Sequence, residues 1–163
     1  MGLRMITYRP IGVIHSPFKQ AAGSPIQGVF ADDAEGVVEV FEEFAEGLHD
    51  VELFSHLYLL YDFHRAGSVS LKIVPFLDDR EHGVFATRAP SRPNGIGLSI
   101  VRLIARDGRR LRVADLDVLD GTPLLDVKPY VPRFDHRPSA NSGWIEAPDG
   151  KRIARQADGR FEA

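Results

Sequence analysis

Short apolar runs with a period of two, divided by Gly, Pro, Asn and Asp, organise this sequence, and a helical period surfaces only once. Tyr8 to His15 reads as a first strand, ended by Ser16-Pro17-Phe18 because Pro cannot donate to a ladder. Lys19 to Gly28 is a polar, broken loop. Glu35 to Phe41 alternates and predicts a strand with its acids outward. Glu42 to Leu53 is the best helix candidate: Phe44, Leu48 and Val51 or Glu52 fall at helical spacing, although Gly47 weakens it by up to ~1 kcal/mol relative to Ala.

His56 to His64, dense in Leu and Tyr, predicts a central strand, and Val69 to Phe76 another, ending at the turn Leu77 to Arg80. Gly83 to Thr87 is short and apolar. Leu98 to Arg106 and Leu111 to Leu119 flank Asp107-Gly108, a dipeptide suited to a tight hairpin turn. Lys128 to Phe134, carrying Pro129 and Pro132, predicts an extended edge and no helix. The expected fold is therefore mainly β (β-rich α+β): a mixed or antiparallel β-barrel of about eight short strands with one or two short helices, since α content is too low for alternating βαβ units.

The length of 163 residues predicts a single domain, with a core over about 8–134 and a peripheral or dimer-packing tail over 135–163. Net charge is only −3, but it is unevenly spread. Ala31 to His64 contains acids and no Lys or Arg, whereas Arg80 to Arg112 holds eight Arg against Glu81 and Asp107. Of the 20 basic residues only Lys19, Lys72, Lys128 and Lys151 are lysine. So arginine-rich a composition reflects either a phosphate-binding face or a GC-rich genome. Arg102, Arg109, Arg110 and Arg112 are as well explained by the wet face of a two-stranded ribbon.

Absence of Cys excludes disulfides, thiolate nucleophiles and Cys-based metal sites. No apolar run is long enough for a membrane span and no secretion signal opens the sequence, so a cytoplasmic location is expected, with no membrane partner.

The stretch from Asp79 to Leu103 carries the chemistry. Arg88 to Gly97 packs two Pro, two Gly and two Arg into ten residues, so no regular element can run through it. Pro90 and Pro93 stiffen the backbone that presents Arg88, Arg92 and Asn94, while Gly95 and Gly97 allow close approach to a ligand. A rigid surface turn with two solvated arginines fits the same residues. Gly95-Ile-Gly97 is not a dinucleotide loop: Ile100 stands where the third Gly belongs, and strand formers follow. No Walker loop, Gly-x-Ser-x-Gly elbow or His-Glu-x-x-His motif occurs.

His49, His56 and His64 lie seven and eight residues apart, which suits no helical ligand pair, so no metal site is expected. Asp115, Asp117 and Asp120 precede the turn Gly121-Thr122-Pro123. Their spacing does not match a calcium loop; they either cap a turn or accept hydrogen bonds from a ribose or an ammonium. Lys128, Tyr130 and Arg133 would suit an aromatic stack with a phosphate contact.

Gly83-Val-Phe-Ala-Thr-Arg88, Arg92-Pro-Asn94, Ile96-Gly97-Leu-Ser99, Asp120-Gly-Thr-Pro123 and Asp126-Val-Lys-Pro-Tyr130, with Ile11 to Pro17 near the start, together resemble the TsaA-like (TrmO, YaeB) family over residues 8–134. The resemblance implies a β-barrel that binds S-adenosyl-L-methionine and methylates the exocyclic amine of a modified adenosine beside the anticodon of tRNA, as a homodimer. The alternative is a binding module for that methyl donor without tRNA methylation. By this resemblance the donor pocket comprises Gln27, Gly28, His64, Arg65, Arg88, Leu98, Asp117, Asp120, Gly121 and Thr122. Asn94, Lys128 and Tyr130 would lie nearer the target base, with Asp120 or Tyr130 taking the proton. The sequence departs from the family by one residue missing between Gln27 and Gly28, and longer members carry a further C-terminal region.

Overall fold

A computed structural model describes residues 2–146 and 156–162. Six strands close into an antiparallel barrel in the order β1-β2-β7-β6-β3-β8: β1 (Gly12–His15), β2 (Gly36–Val40), β3 (His56–Asp62), β6 (Ile96–Asp107), β7 (Arg110–Ala114) and β8 (Thr122–Pro129). Two shorter strands, β4 (Lys72–Ile73) and β5 (His82–Gly83), pair beside it. The alternation read from the sequence is what fills the barrel. In β3 the residues Leu57, Leu59 and Tyr61 point inward, meeting Val101 of β6, Leu111 and Val113 of β7, Val38 and Val40 of β2, Ile14 of β1 and Leu124 of β8. Each such aliphatic side chain contributes on the order of 1.5–3 kcal/mol of transfer free energy. Closure also removes the free edges of the barrel, so β3 is central in the sense that it pairs on both sides, with β6 and β8.

Gly97 is required by packing rather than by backbone conformation. It pairs across the ladder with Tyr61, and an added Cβ would lie 2.1 Å from the Tyr61 ring. The ring therefore rests on the bare strand, and its hydroxyl is carried toward Ser99.

Several segments differ from the sequence expectations. Glu42–Leu48 and Val51–Leu53 form two 3-10 turns in place of one α-helix, interrupted by Asp50 at φ 67°. Glu42 and Glu46 would repel at i, i+4 spacing and Gly47 lowers propensity, so although Phe44, Leu48 and Val51 pack on the core no single α-helix spans the segment. Of Val69 to Phe76 only Lys72–Ile73 is strand, and of Gly83 to Thr87 only Gly83 is; Val84–Ala86 is a 3-10 turn.

The predicted strand Leu111 to Leu119 stops at Ala114, because Asp115 takes φ 62°. In its place Thr122–Pro129 forms the closing strand, running through what looked like a turn and an edge. Its Pro123 and Pro129 hid it, and a register shift opposite Leu60 and Tyr61 bends it. Beyond it, Pro132–Asp135 is one turn of helix (α1), in a stretch expected to be extended throughout. Pro132 occupies the first turn, where its missing N–H costs nothing, and the Asp135 carboxylate accepts the Val131 N–H.

The described parts of the tail pack on the barrel, and 147–155 and 163 of the predicted tail lie outside the described residues. Trp144 stacks on His82 and donates its indole N–H to the Ala86 carbonyl at 2.8 Å, while Gln156 and Glu162 form bridges with Pro25 and Ala66.

Candidate functional site

A cleft of about 1150 Å³ opens at the end of the barrel where β3 finishes and β6 begins. Its walls are the 24–30 loop, Tyr61 to Ala66, the 85–98 segment, Asp117 to Leu119 with Thr122, and residues of the tail. The bends at 88–98 and 117–122, far apart in sequence, therefore share one cavity. The proline-stiffened loop delivers Arg88, Arg92 and Asn94 to it.

Asp117 lies deep in the fold yet keeps partial solvent contact through the cleft. Its Oδ1 accepts a 2.5 Å hydrogen bond from Ser99 Oγ, and Ser99 Oγ lies 2.9 Å from the Tyr61 hydroxyl. Burial pushes the Asp117 carboxyl above its ordinary value, against the Ser99 bond and the charge of Arg88. Burial likewise pushes the Tyr61 phenol far up. The Arg88 guanidinium donates to Gln27 Oε1 at 2.7 Å, and that of Arg92 donates to the Thr87 and Ala89 carbonyls at 3.1 and 3.2 Å. Both cations are thus held by neutral acceptors.

Of the sequence-predicted donor residues, Gln27, His64, Arg65, Arg88, Leu98, Asp117 and Thr122 line the cleft, as does Asn94. His64 Nδ1 sits 3.4 Å from Thr122 Oγ1, and Arg65 donates to the Lys19 carbonyl at 2.5 Å and pairs with Glu162 at 3.3 Å. Gly28, Asp120 and Gly121 are not on the cleft wall. Gly28 backs onto the barrel, where a Cβ would come within 2.7 Å of the Asp115 carbonyl. Asp120 is occupied elsewhere: its carboxylate accepts the Ser16 N–H at 3.0 Å and pairs with Lys19 at 2.5 Å, which holds it below the usual carboxylate range. Gly121, at φ 78°, makes the turn that donates its N–H to the Ile14 carbonyl.

Lys128 and Tyr130 lie toward the other end of β8. Lys128 pairs with Tyr58 of β3 and forms an ion pair with Asp126 at 2.8 Å, and the Tyr130 ring packs edge-on against His56 and Tyr58. Six residues of strand separate Lys128 from Thr122, about 20 Å.

Ser99 and Tyr61 were missed as site residues. The available signal was a polar side chain at an inward position, flanked by Gly97 and Val101 in the β6 alternation. Among the described residues no group of three His, Cys, Asp or Glu is placed to hold a metal ion, and no helix is long and apolar enough to cross a membrane.

Taken together, the carboxylate at depth suits hydroxyl, amine or ammonium groups, and the guanidiniums suit an anionic group. Leu98, Ile26 and Val29 offer apolar surface for a flat ring. These parts define a small antiparallel β-barrel with a large, partly apolar cleft at one end.

Residues 13–136 match the family described as the tRNA-methyltransferase O N-terminal domain, and the chain belongs to that family. It is 57% identical over 96% of its length, and 85% of the relative's, to a Pyrococcus abyssi protein described as a probable S-adenosyl-L-methionine-binding protein. It is 35% identical over 77% of its length to the mouse tRNA (adenine(37)-N6)-methyltransferase, of which it spans 31%. A solved structure of TrmO from Pseudomonas aeruginosa superposes with a TM-score of 0.73 at 40% identity, covering 86% of this chain and 63% of that one.

Proposed function

We propose that this protein binds S-adenosylmethionine in the cleft and acts as a methyltransferase on the exocyclic amine of a modified adenosine beside the tRNA anticodon, in the cytoplasm. The observation that carries this reading is the meeting of the 88–98 and 117–122 bends around one cavity, with Asp117 at its floor facing Arg88. The name of the mouse relative supports the reaction and its substrate. When bound, S-adenosylmethionine would supply a methyl group on a positively charged sulfur that leaves as a neutral thioether, so the protein has to hold and orient donor and acceptor while the amine gives up one proton to a base or to solvent.

Gln27, Arg88, Leu98, Asp117 and Thr122 are assigned to the donor, with His64 and Arg65 closing its rim. Arg88 meets a carboxylate, and Asp117 meets a hydroxyl or amine hydrogen. Asn94 is assigned to the acceptor base, since it projects from the same stiff loop. Asp120 and Gly121 serve the donor from behind, by holding the 119–122 turn. Lys128 and Tyr130 are assigned to the acceptor through a homodimer. The outer face of β6 presents Ile96, Leu98 and Ile100, all more than 40% exposed, beside Leu60 and Tyr58 of β3, and Lys128 borders this face. A second copy seated there covers the apolar stripe and lets Lys128 and Tyr130 work beside a cleft.

Calorimetry with S-adenosylmethionine tests the donor assignment, and no binding at millimolar concentration refutes it. Transfer of label from radiolabelled donor to tRNA from a strain lacking the modification tests the reaction. One feature favours the second reading, a donor-binding module without tRNA methylation: the basic ribbon of β6 and β7 is neutralised by acids, leaving no broad phosphate-binding face there. Donor binding without label in tRNA supports that module.

A further inference from the structure

We infer that Tyr61 and Ser99 are positioning residues: their two hydroxyls, stacked behind the cleft floor, hold the Asp117 carboxylate in its charged, cleft-facing form, and affinity for the nucleoside donor depends on that hold. The inference rests on the donor assignment proposed above and adds to it a control that acts from inside the barrel.

The geometry leaves the two hydroxyls little choice. Ser99 and Tyr61 are inward residues, 5% and 6% exposed, on adjacent strands. A serine hydroxyl carries one hydrogen. Ser99 spends it on Asp117 Oδ1 at 2.5 Å, so Tyr61, 2.9 Å away, must be the donor to Ser99 while Asp117 is charged. Tyr61 in turn is seated on Gly97, where no side chain leaves room for it to move back.

The chain therefore ends in a directed hydrogen bond at a carboxylate that the cleft exposes. A hydrogen bond donated to the ionised form favours that form, and burial opposes it. Around Asp117 the charged group on the 88–98 loop is Arg88, the titratable group on β3 is Tyr61, and the 24–30 loop contributes the Gly28 N–H. Without the Ser99 hydrogen bond, burial prevails over a wider pH range and Asp117 takes up a proton. A protonated Asp117 no longer attracts a cationic donor and presents a hydrogen of its own.

The test pairs a readout without ligand with one that uses it. Carboxyl carbon NMR follows the titration of Asp117 in the ligand-free protein, and calorimetry follows S-adenosylmethionine affinity from pH 5 to pH 8. The carboxyl signal identifies Asp117 as the titrating group, which affinity by itself does not.

Ser99→Ala is expected to raise the Asp117 midpoint by about one pH unit, the equivalent of one ordinary hydrogen bond. Donor affinity then falls about tenfold below the new midpoint and rejoins the wild type above it. Tyr61→Phe keeps the ring on Gly97 and shifts both curves the same way by less. Ser99→Thr retains the hydroxyl and restores the wild-type curves, and Asp117→Asn removes the pH dependence that Asp117 contributes.

An unmoved carboxyl titration in folded Ser99→Ala and Tyr61→Phe overturns the inference and leaves the donor assignment standing. A moved titration with unmoved donor affinity also overturns it. Failure of the wild type to bind the donor at millimolar concentration overturns the donor assignment, and with it the dependence claimed here.

Discussion

Arginines on the barrel wall and arginines at its open end do different things, although the same stretch of sequence supplies both. On the β6–β7 ribbon each meets a carboxylate: Arg102 with Asp33 at 2.9 Å, Arg106 with Glu52 at 3.0 Å, Arg109 with Glu39 at 2.7 Å, Arg110 with Glu39 at 3.7 Å, and Arg112 with Glu35 at 3.9 Å. These four carboxylates come from the acid-only segment, because closure lays β2 antiparallel against β7 with Glu39 opposite Arg110, and Arg102 also reaches Asp115 at 3.6 Å. Arg88 and Arg92 are held instead by an amide and by carbonyls, which orient a guanidinium without neutralising it. The ribbon's charges are therefore structural, and those of Arg88 and Arg92 remain available to a ligand. Uneven charge along a chain predicts a binding face only after the fold has shown which charges neutralise one another.

The contrast is broken most severely at Gly97. Gly97→Ala drives a Cβ into the Tyr61 ring and is expected to destabilise by about 1–3 kcal/mol, the usual range for overpacking, read as a lowered denaturant midpoint with an unchanged slope. Next in size, Arg88→Ala is expected to weaken donor binding by about 10- to 100-fold, the worth of a hydrogen bond to a charged group, measured by calorimetry. Unchanged affinity would remove Arg88 from the site.

Two aspartates sharpen the contrast through opposite pH signs. Asp117 has a raised folded-state value, so its ionisation costs stability once pH rises through that value. Asp117→Asn is thus expected to raise the melting temperature at pH 7 by a few degrees while weakening the donor. Asp120 has a lowered value, so its pair with Lys19 and Ser16 stabilises above the ordinary carboxylate range and is lost as pH falls through the folded value. Asp120→Asn is expected to lower the melting temperature at pH 7, to make little difference in strong acid where both forms are neutral, and to change donor affinity less than Asp117→Asn does.

The smallest effect is expected on the ribbon: Arg109→Ala leaves donor affinity within about twofold and lowers the melting temperature slightly, since exposed pairs contribute little.

Much of the barrel was legible beforehand because strand alternation is a local property. The strand at β3, the 107–108 hairpin and the irregular loop before β6 all follow from residue type, spacing and the backbone limits of Pro and Gly. What escaped the sequence was non-local. The closing strand β8 contains two prolines and an Asp, poor strand formers individually, and it exists because β1 and β3 offer partners on both sides. The candidate helix over 42–53 failed for a local reason: Phe44, Leu48 and Val51 do pack on the core, but Gly47, the Glu42–Glu46 repulsion and the left-handed Asp50 leave only 3-10 turns.

Among site residues, chain motifs picked out Arg88, Asn94, Asp117 and Thr122, which share the cleft. They also grouped Asp117 with Asp120, three residues apart, and only the fold separated a carboxylate in the cleft from one spent on Lys19 and a backbone N–H. Ser99 and Tyr61 could not be recognised until pairing brought residues 38 positions apart to 2.9 Å. Sequence by itself determined which residues point inward and where the backbone must bend, because both are set within a few residues of chain. Which charges cancel, which carboxylate is free and which hydroxyls line up behind it were decided by tertiary structure, since each depends on what strand closure places across from it.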